Sequence, residues 1–207
     1  MFGDLHIHMI LDGVYYRAAI DAQKEHPLDG LVRARLSDYQ ARGVCLLRDG
    51  GDAWGVSLRA RELAGEYGID YRSPAFPIYR RGHYGAFIGR GFDTEDEYRA
   101  LLDEAGEKRA DFIKLMISGL IDFDHFGVLT EPGPEPQDIR RMIELAHAAG
   151  FAVMAHANGD RAVTAALQAG VDSIEHGAYL SPETRSQLAE SHAVWVPTLV
   201  TIGNLIG

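Results

Sequence analysis

The chain has 207 residues, 46% of them hydrophobic and 24% charged, a composition typical of one globular domain spanning residues 1–207. The net charge of −10, without any basic run, argues against nucleic acid as a partner. A single cysteine excludes an internal disulfide and favours a reducing compartment. No apolar run approaches the ~20 residues that span a bilayer, and no signal-peptide pattern is visible. We therefore expect a cytoplasmic protein that does not bind membranes.

Short apolar runs alternate with amphipathic stretches along the whole chain. The apolar runs predict seven strands, at residues 3–9, 44–47, 70–76, 111–117, 151–157, 171–176 and 194–199. Helices are predicted between them, at residues 31–42, 56–67, 137–149 and 160–169, with two more beginning at Thr94 and at Ser181. The longest irregular segment, residues 121–136, is predicted to be a loop.

This β–α alternation with short connections indicates a parallel sheet in an α/β fold. Two architectures compete, an open doubly wound sheet and a (β/α)₈ barrel. Polar candidates follow several different strands, and a barrel brings such strand ends together around one mouth. The chain has no Gly-x-Gly-x-x-Gly or Walker motif, so we favour the barrel. Strand 8 and its helix have no counterpart, and the open edges of the first and last strands would favour association into a homo-oligomer.

Two histidines one residue apart lie in the first predicted strand. Side chains alternate along a strand, so Asp4, His6 and His8 share one face. Two imidazoles about 7 Å apart along a strand can bind a single metal ion. The alternative is a pair of hydrogen-bonded core histidines, which is less expected for two on one face of a buried strand.

A lysine interrupts the apolar strand at residues 111–117. Ile113, Leu115 and Ile117 form one apolar face suited to packing against helices, which turns Lys114 into the barrel. A free ammonium group there is costly. A nearby carboxylate would offset the cost, and so would carboxylation by carbon dioxide to a carbamate that can bridge two metal ions. The alternative is a lysine that extends along the barrel wall to water.

Two more histidines, His156 and His176, each end a later predicted strand. Each alone is as consistent with a structural histidine as with a metal ligand. Imidazole is a common zinc ligand, and these strand ends lie on the same side of a parallel sheet as those of the earlier candidates. His83, in a glycine-rich loop after the third predicted strand, is a candidate substrate contact.

Together these motifs resemble the amidohydrolase superfamily. The resemblance rests on the His-x-His pair, the lysine of the fourth strand and the histidines of the next two. It extends to the strings Arg-Asp-Gly-Gly at 48–51, Ile-Lys-Leu-Met-Ile-Ser-Gly at 113–119, Ala-His-Ala-Asn-Gly at 155–159 and Ser-Ile-Glu-His-Gly at 173–177. These strings are similar to the imidazolonepropionase- and prolidase-like branch. The resemblance implies a (β/α)₈ barrel holding one or two divalent metal ions, often zinc, that hydrolyses amide, ester or related bonds.

Carried over residue by residue, the resemblance implies a set of metal ligands. His6 and His8 would bind the more buried ion, His156 and His176 the more exposed one, and a carboxylated Lys114 would bridge them. Lys114 and His176 are thereby also the expected catalytic residues. A metal-activated hydroxide would attack the substrate carbonyl.

Substrate contacts and the reaction itself are less closely indicated. His83, Tyr179 and Arg48 are expected to contact a small-molecule substrate. The expected reaction is cleavage of a C–N amide bond in a dipeptide or an N-acyl amino acid. A lactonase or esterase of the same superfamily, a catalytically silent metal- or ligand-binding barrel and a metal-free open-sheet binding protein are the alternatives.

The sequence departs from the family at one chemical position. The family's strand-8 aspartate, a metal ligand and proton shuttle, has no counterpart here. We expect that these residues are part of a longer chain; a dimer that supplies the strand, another late carboxylate and a loss of catalysis are alternatives. If the chain itself catalyses the reaction, the loop residues Asp49, Asp122 and Asp124 are the first candidates for the proton shuttle.

Overall fold

The computed structural model describes residues 2–200 and shows an α/β fold. Its strands are β1 Phe2–Ile7, β2 Val44–Asp49, β3 Asp70–Arg72, β4 Pro77–Arg80, β5 Arg90–Phe92, β6 Ile113–Met116, β7 Val153–Ala157, β8 Ser173–His176 and β9 Val194–Val196. Its α-helices are α1 Tyr16–Asp21, α2 Asp29–Ala41, α3 Val56–Ala64, α4 Glu95–Glu107, α5 Pro136–Ala148, α6 Gly159–Gln168 and α7 Pro182–Glu190. A 3₁₀ turn, Gly65–Tyr67, extends α3.

The strands form two sheets in which every paired neighbour is parallel. The first sheet has the order β1-β2-β3 and the second the order β5-β4-β6-β7-β8-β9. Parallel neighbours need crossover connections, and most of these contain a helix, as in βαβ units. The predicted alternation of strand and helix is therefore confirmed. None of the helices within residues 2–200 is long and apolar enough to cross a membrane.

The predicted strand at residues 70–76 is too long, because β3 ends at Arg72 and the next strand, β4, begins at Pro77 in the other sheet. β3 pairs with β2, whereas β4 pairs with β6. Pro74 lies between them and has no backbone N–H to donate to a ladder. Ala75 follows with a φ of 66°, in the left-handed region. The short strand β5, which pairs with β4, was not predicted from its glycine-containing sequence.

The second sheet packs its apolar face on helices, as the sequence predicts. Ile113, Leu115 and Ile117 are buried in one core cluster with Ile139 and Ile143 of α5. Between them, Lys114 points to the opposite face, which for a barrel is its interior. The strict alternation of β6 therefore places one charged side chain inside the fold.

The first sheet is built in the same way. Leu47 of β2 is buried with Val32 and Leu36 of α2. Its neighbour Arg48 points to the other face and reaches the carboxylate of Glu175 in β8, with the terminal nitrogen 2.6 Å from Oε1. Polar side chains from both sheets therefore meet in a shared interior, which is where the candidate site lies.

Candidate metal centre

The structure brings the four predicted histidines together in this interior. The ring centroids of His6 and His8 are 5.6 Å apart, those of His6 and His176 are 4.8 Å apart, and those of His156 and His176 are 4.7 Å apart. The four rings come from the ends of β1, β7 and β8, over more than 160 residues of sequence. This is the clustering at one end of the strands that the sequence predicts.

Two of these rings are oriented by backbone carbonyls. Nδ1 of His8 donates to the carbonyl oxygen of Gly51 at 3.0 Å, and Nε2 of His156 donates to that of Gly119 at 3.1 Å. A carbonyl can only accept, so the proton of each neutral ring is held on that nitrogen. The lone pair is then left on Nε2 of His8 and on Nδ1 of His156, available to a ligand.

The other two rings are oriented by side chains. Nδ1 of His6 lies 2.6 Å from Oε2 of Glu175, and Nδ1 of His176 lies 2.6 Å from Oγ1 of Thr198. The carboxylate of Glu175 holds the His6 proton on Nδ1 and leaves Nε2 free. Such outer partners fix the tautomer and the angle of a metal-binding imidazole.

Burial keeps these histidines neutral. Desolvation, reinforced by the nearby Lys114, lowers the pKa of His8 to about 4 and that of His156 to about 3. Burial also lowers the pKa of His6 and of His176 well below the usual 6.5. Neutral imidazole is the form that binds a metal ion.

Lys114 lies in the same interior without a hydrogen-bond partner. Its side chain is 0% exposed, and its Nζ has no partner among residues 2–200. Burial lowers the pKa of Lys114 to about 8, while the charge of Glu175 acts in the opposite direction. Lys114 and all four histidines line one cavity of about 540 Å³. A buried amine without a partner in such a cavity is an arrangement that a bound group would complete.

The donor set is rich in nitrogen and poor in oxygen. Across residues 2–200 no three His, Cys, Asp or Glu side chains stand close enough to hold one ion as they are. Glu175 faces the cluster but is already bonded to His6 and Arg48. Imidazole suits zinc and related transition metals, so the residues fit such an ion by their chemistry. Asp4 and Asp12 also line the cavity, but neither completes such a group of three, so an anionic oxygen beside the histidines is the missing component.

Local backbone geometry explains two of the glycine-containing strings. A Cβ at position 50 would lie 2.4 Å from Cε1 of His8, so this position accepts only glycine while the ring keeps its place. At the end of β8, His176 has a φ of 67° and Gly177 a φ of 61°. This left-handed turn breaks the alternation of β8 and lets His176 join the cluster. Both glycines are thus tied to the placement of a histidine.

The predicted substrate contacts lie in three different environments. Arg48 donates to the Leu5 carbonyl and to the side chains of Ser173 and Glu175, so its donors are used inside the protein. Nδ1 of His83 lies 2.9 Å from Oε2 of Glu131 in the long loop. A role of Arg48 and His83 in substrate binding stays a prediction.

Tyr179 lies beside the long loop, where its ring packs edge-on against Phe126 with centroids 5.1 Å apart. Its predicted substrate contact also stays a prediction. Asp49, predicted to lie in a loop, is the last residue of β2. Its carboxylate accepts from the backbone N–H of Met9 and of Gly51 and from the hydroxyl of Tyr71, and Asp49 does not line the cavity of the histidines.

Sequence reasoning assigned no role to Glu175 or Tyr84. Glu175 is fully buried and connects His6, Arg48 and Ser173, and the Tyr84 ring lies 5.0 Å from that of His156. A glutamate inside the short buried strand β8 was an available signal, since a buried carboxylate requires partners. Nothing in the sequence around Tyr84 pointed to His156.

The chain thus has a parallel α/β fold in which four histidines and a lysine line one interior cavity. The family model for the amidohydrolase family matches residues 57–205, and the chain belongs to this family.

Two curated relatives match parts of the chain. An uncharacterised protein of Mycobacterium tuberculosis is 36% identical over 69 residues, which is 33% of this chain and 19% of the relative. Ochratoxinase of Aspergillus niger is 27% identical over 160 residues, which is 75% of this chain and 31% of that enzyme. The chain thus spans a third or less of the length of these relatives.

Solved structures agree on the fold. The A. niger ochratoxinase structure has a TM-score of 0.76 at 18% identity, over 99% of this chain and 53% of that chain. A Xaa-Pro dipeptidase structure has a TM-score of 0.72 at 21% identity, over 96% of this chain and 53% of that chain. The predicted amidohydrolase barrel fold is confirmed, and this chain spans about half of each barrel protein.

Proposed function

We propose that this chain carries the metal-binding part of a hydrolase that cleaves a C–N amide bond in a small molecule. The observation that carries the proposal is the cavity lined by four neutral imidazoles and by buried Lys114, whose amine has no hydrogen-bond partner among residues 2–200. The family membership supports hydrolysis as the reaction class. The name of the similar Xaa-Pro dipeptidase supports an amide, in a dipeptide or an N-acyl amino acid, as the bond.

The proposed ligands form two groups that fit one or two divalent ions, with zinc expected. His6 and His8 would hold one ion through Nε2, while His156 and His176 would hold the other. When bound, such an ion polarises a carbonyl group and lowers the pKa of water. Each ring has a hydrogen-bond partner that would orient it, Glu175 in the case of His6.

Lys114 would supply the missing anionic oxygen. Its neutral amine, which burial favours, would add to carbon dioxide and release a proton, leaving a carbamate on Nζ. The carbamate oxygens would then lie among the four histidines in the cavity that Lys114 lines. This reaction converts a costly buried amine into a ligand.

A second function has an observation in its favour. Among residues 2–200 no three His, Cys, Asp or Glu side chains stand close enough to hold one ion, which suits a barrel that binds a metal or ligand without catalysis. A lactonase or esterase would use the same site as an amidase. The single cysteine supports a reducing, cytoplasmic compartment. Within the described residues 2–200, β1 and β9 each lie at the edge of a sheet, which supports a homo-oligomer.

The test compares the amount of zinc bound per chain in two lysine variants. The zinc is measured by elemental mass spectrometry. Lys114→Ala should lose most of the zinc, and a short carboxylic acid should partly restore it. Lys108→Ala, at an exposed position beside Glu104, is the matched control and should bind zinc normally. A ¹³C-carbamate signal should appear under ¹³CO₂ only when Lys114 is present. Equal zinc in both variants would overturn the assignment.

The reaction class needs a separate measurement. Dipeptides, N-acyl amino acids and lactones should be tested for hydrolysis with and without a chelator. Chelator-sensitive cleavage of amides supports the amidase, and preferential cleavage of lactones supports the esterase. Zinc binding without any cleavage supports the silent barrel.

A further inference from the structure

A second cavity, of about 230 Å³, opens directly beside His156 and His176. Leu120 and Phe123 line it from the long loop after β6, and Trp195, Pro197 and Leu199 line it from the end of β9. No Asp, Glu, Lys or Arg from the described part of the chain contributes to its lining. Apolar side chains that stay partly exposed around a concave site offer a surface that an apolar group of a ligand can cover.

One wall of this cavity is held in place by the cluster itself. Nε1 of Trp195 donates to the carbonyl oxygen of His176 at 2.9 Å. The ring packs so closely over Gly177 that a Cβ there would lie 2.6 Å from Nε1. The indole is therefore a fixed aromatic surface whose position is tied to that of a proposed ligand histidine.

The two cavities beside the histidines differ in charge. The larger one also contains Asp4, Asp12 and Lys114, whereas the smaller one is apolar. A charged group in the smaller cavity would lose water without gaining an ionic partner. An apolar cavity of roughly 150 Å³ is sufficient for a benzene ring, so this one has room for a ring and its linking atoms.

From these observations we propose an apolar subsite for the substrate. It holds an uncharged aromatic or branched aliphatic substituent, with the bond to be cleaved turned toward His156 and His176. The placement of the bond to be cleaved rests on the proposed hydrolase function. The selective binding of an apolar group does not depend on any reaction.

The test uses the fluorescence of Trp195, which lines the cavity, to report binding of a probe. Trp54→Phe removes the other tryptophan, which packs against the separate core cluster of the first sheet. Fluorescence titrations of this variant, in the presence of a chelator, use benzamide, acetamide and 4-carboxybenzamide as probes. Burial of the phenyl ring should make benzamide bind about 10- to 100-fold more tightly than acetamide. The carboxylated probe should bind at least about tenfold more weakly than benzamide.

Two leucine variants locate the binding. Leu120→Asp places a charge in the wall of the cavity and should weaken benzamide binding about tenfold. Leu28→Asp, at a similarly exposed leucine before α2 and outside both cavities, is the matched control and should leave the affinity unchanged. Equal affinity for the three probes, or equal effects of the two variants, would overturn the subsite.

Hydrolysis assays keep the two proposals apart. Selective benzamide binding by a protein that hydrolyses nothing would support the subsite and leave the hydrolase without support. Hydrolysis that shows no preference between aromatic and small or charged acyl groups would support the hydrolase and contradict the subsite.

Discussion

The buried carboxylate of Glu175 offers the sharpest test of the interior. Its side chain is 0% exposed, and its oxygens lie 2.6 Å from His6 and 2.6 Å from Arg48. Glu175→Gln keeps the shape and removes the charge, which leaves the Arg48 guanidinium without its counter-ion. Breaking a fully buried pair costs ~3–5 kcal/mol. Because the Arg48 side chain is 19% exposed and can regain some water, we expect a loss of about 2–3 kcal/mol in the free energy of unfolding.

Urea unfolding measures this loss, with an unchanged m-value to show that the same surface is exposed. Glu95→Gln is the matched control, because Glu95 also accepts from two arginines, Arg99 and Arg141, but its side chain is 43% exposed. Surface pairs of this kind contribute below about 1 kcal/mol. A Glu175 variant no less stable than the Glu95 variant would refute the reasoning.

A double variant distinguishes the cost of the unpaired Arg48 charge from the other effects of replacing Glu175. Arg48→Met in the Glu175→Gln background removes the cation together with its need for a partner. Apolar replacement of a buried ion pair is often neutral or stabilising. The double variant should therefore recover about half or more of the lost stability, whereas simple additivity of two losses would contradict the proposed pairing.

Three further predictions concern single positions. Thr94→Ala removes the N-cap of α4 and should lower the free energy of unfolding by about 1 kcal/mol, measured by heat or urea. Thr94→Ser keeps the hydroxyl and should be as stable as the unchanged protein. Burial raises the pKa of the Asp49 carboxyl from 3.8 to about 7, so the folded chain retains a proton that the unfolded chain releases. This contribution to stability should be lost as the pH rises from about 4 to 7, and Asp49→Asn should abolish that slope; an unchanged slope would show that another group titrates. Gly50→Ala must displace the ring of His8 and should lower zinc affinity about tenfold or more, measured by competition with a chelator, while normal affinity would show that the ring is not a ligand.

The sequence by itself determined the periodic features of this protein. The alternation of Ile113, Lys114 and Leu115 predicted which side chains pack on helices and which one enters the interior, because side chains of a strand have only two faces. The strand-end positions of His156 and His176 predicted that they would meet, because parallel strands end on the same side of a sheet. Period and strand direction are local properties, and the sequence carries them directly.

The tertiary structure alone decided the long-range pairings. His6 and Glu175 are separated by 169 residues. The imidazole of His6 and the carboxylate of Glu175 can form a hydrogen bond only because β1 approaches β8 in the folded chain. The same holds for Trp195 over Gly177, and for the change of sheet between β3 and β4, which ends the predicted strand at Arg72. These features depend on how the sheets curve and where each strand finds its neighbour. That outcome reflects the packing of the whole chain, which no local period encodes.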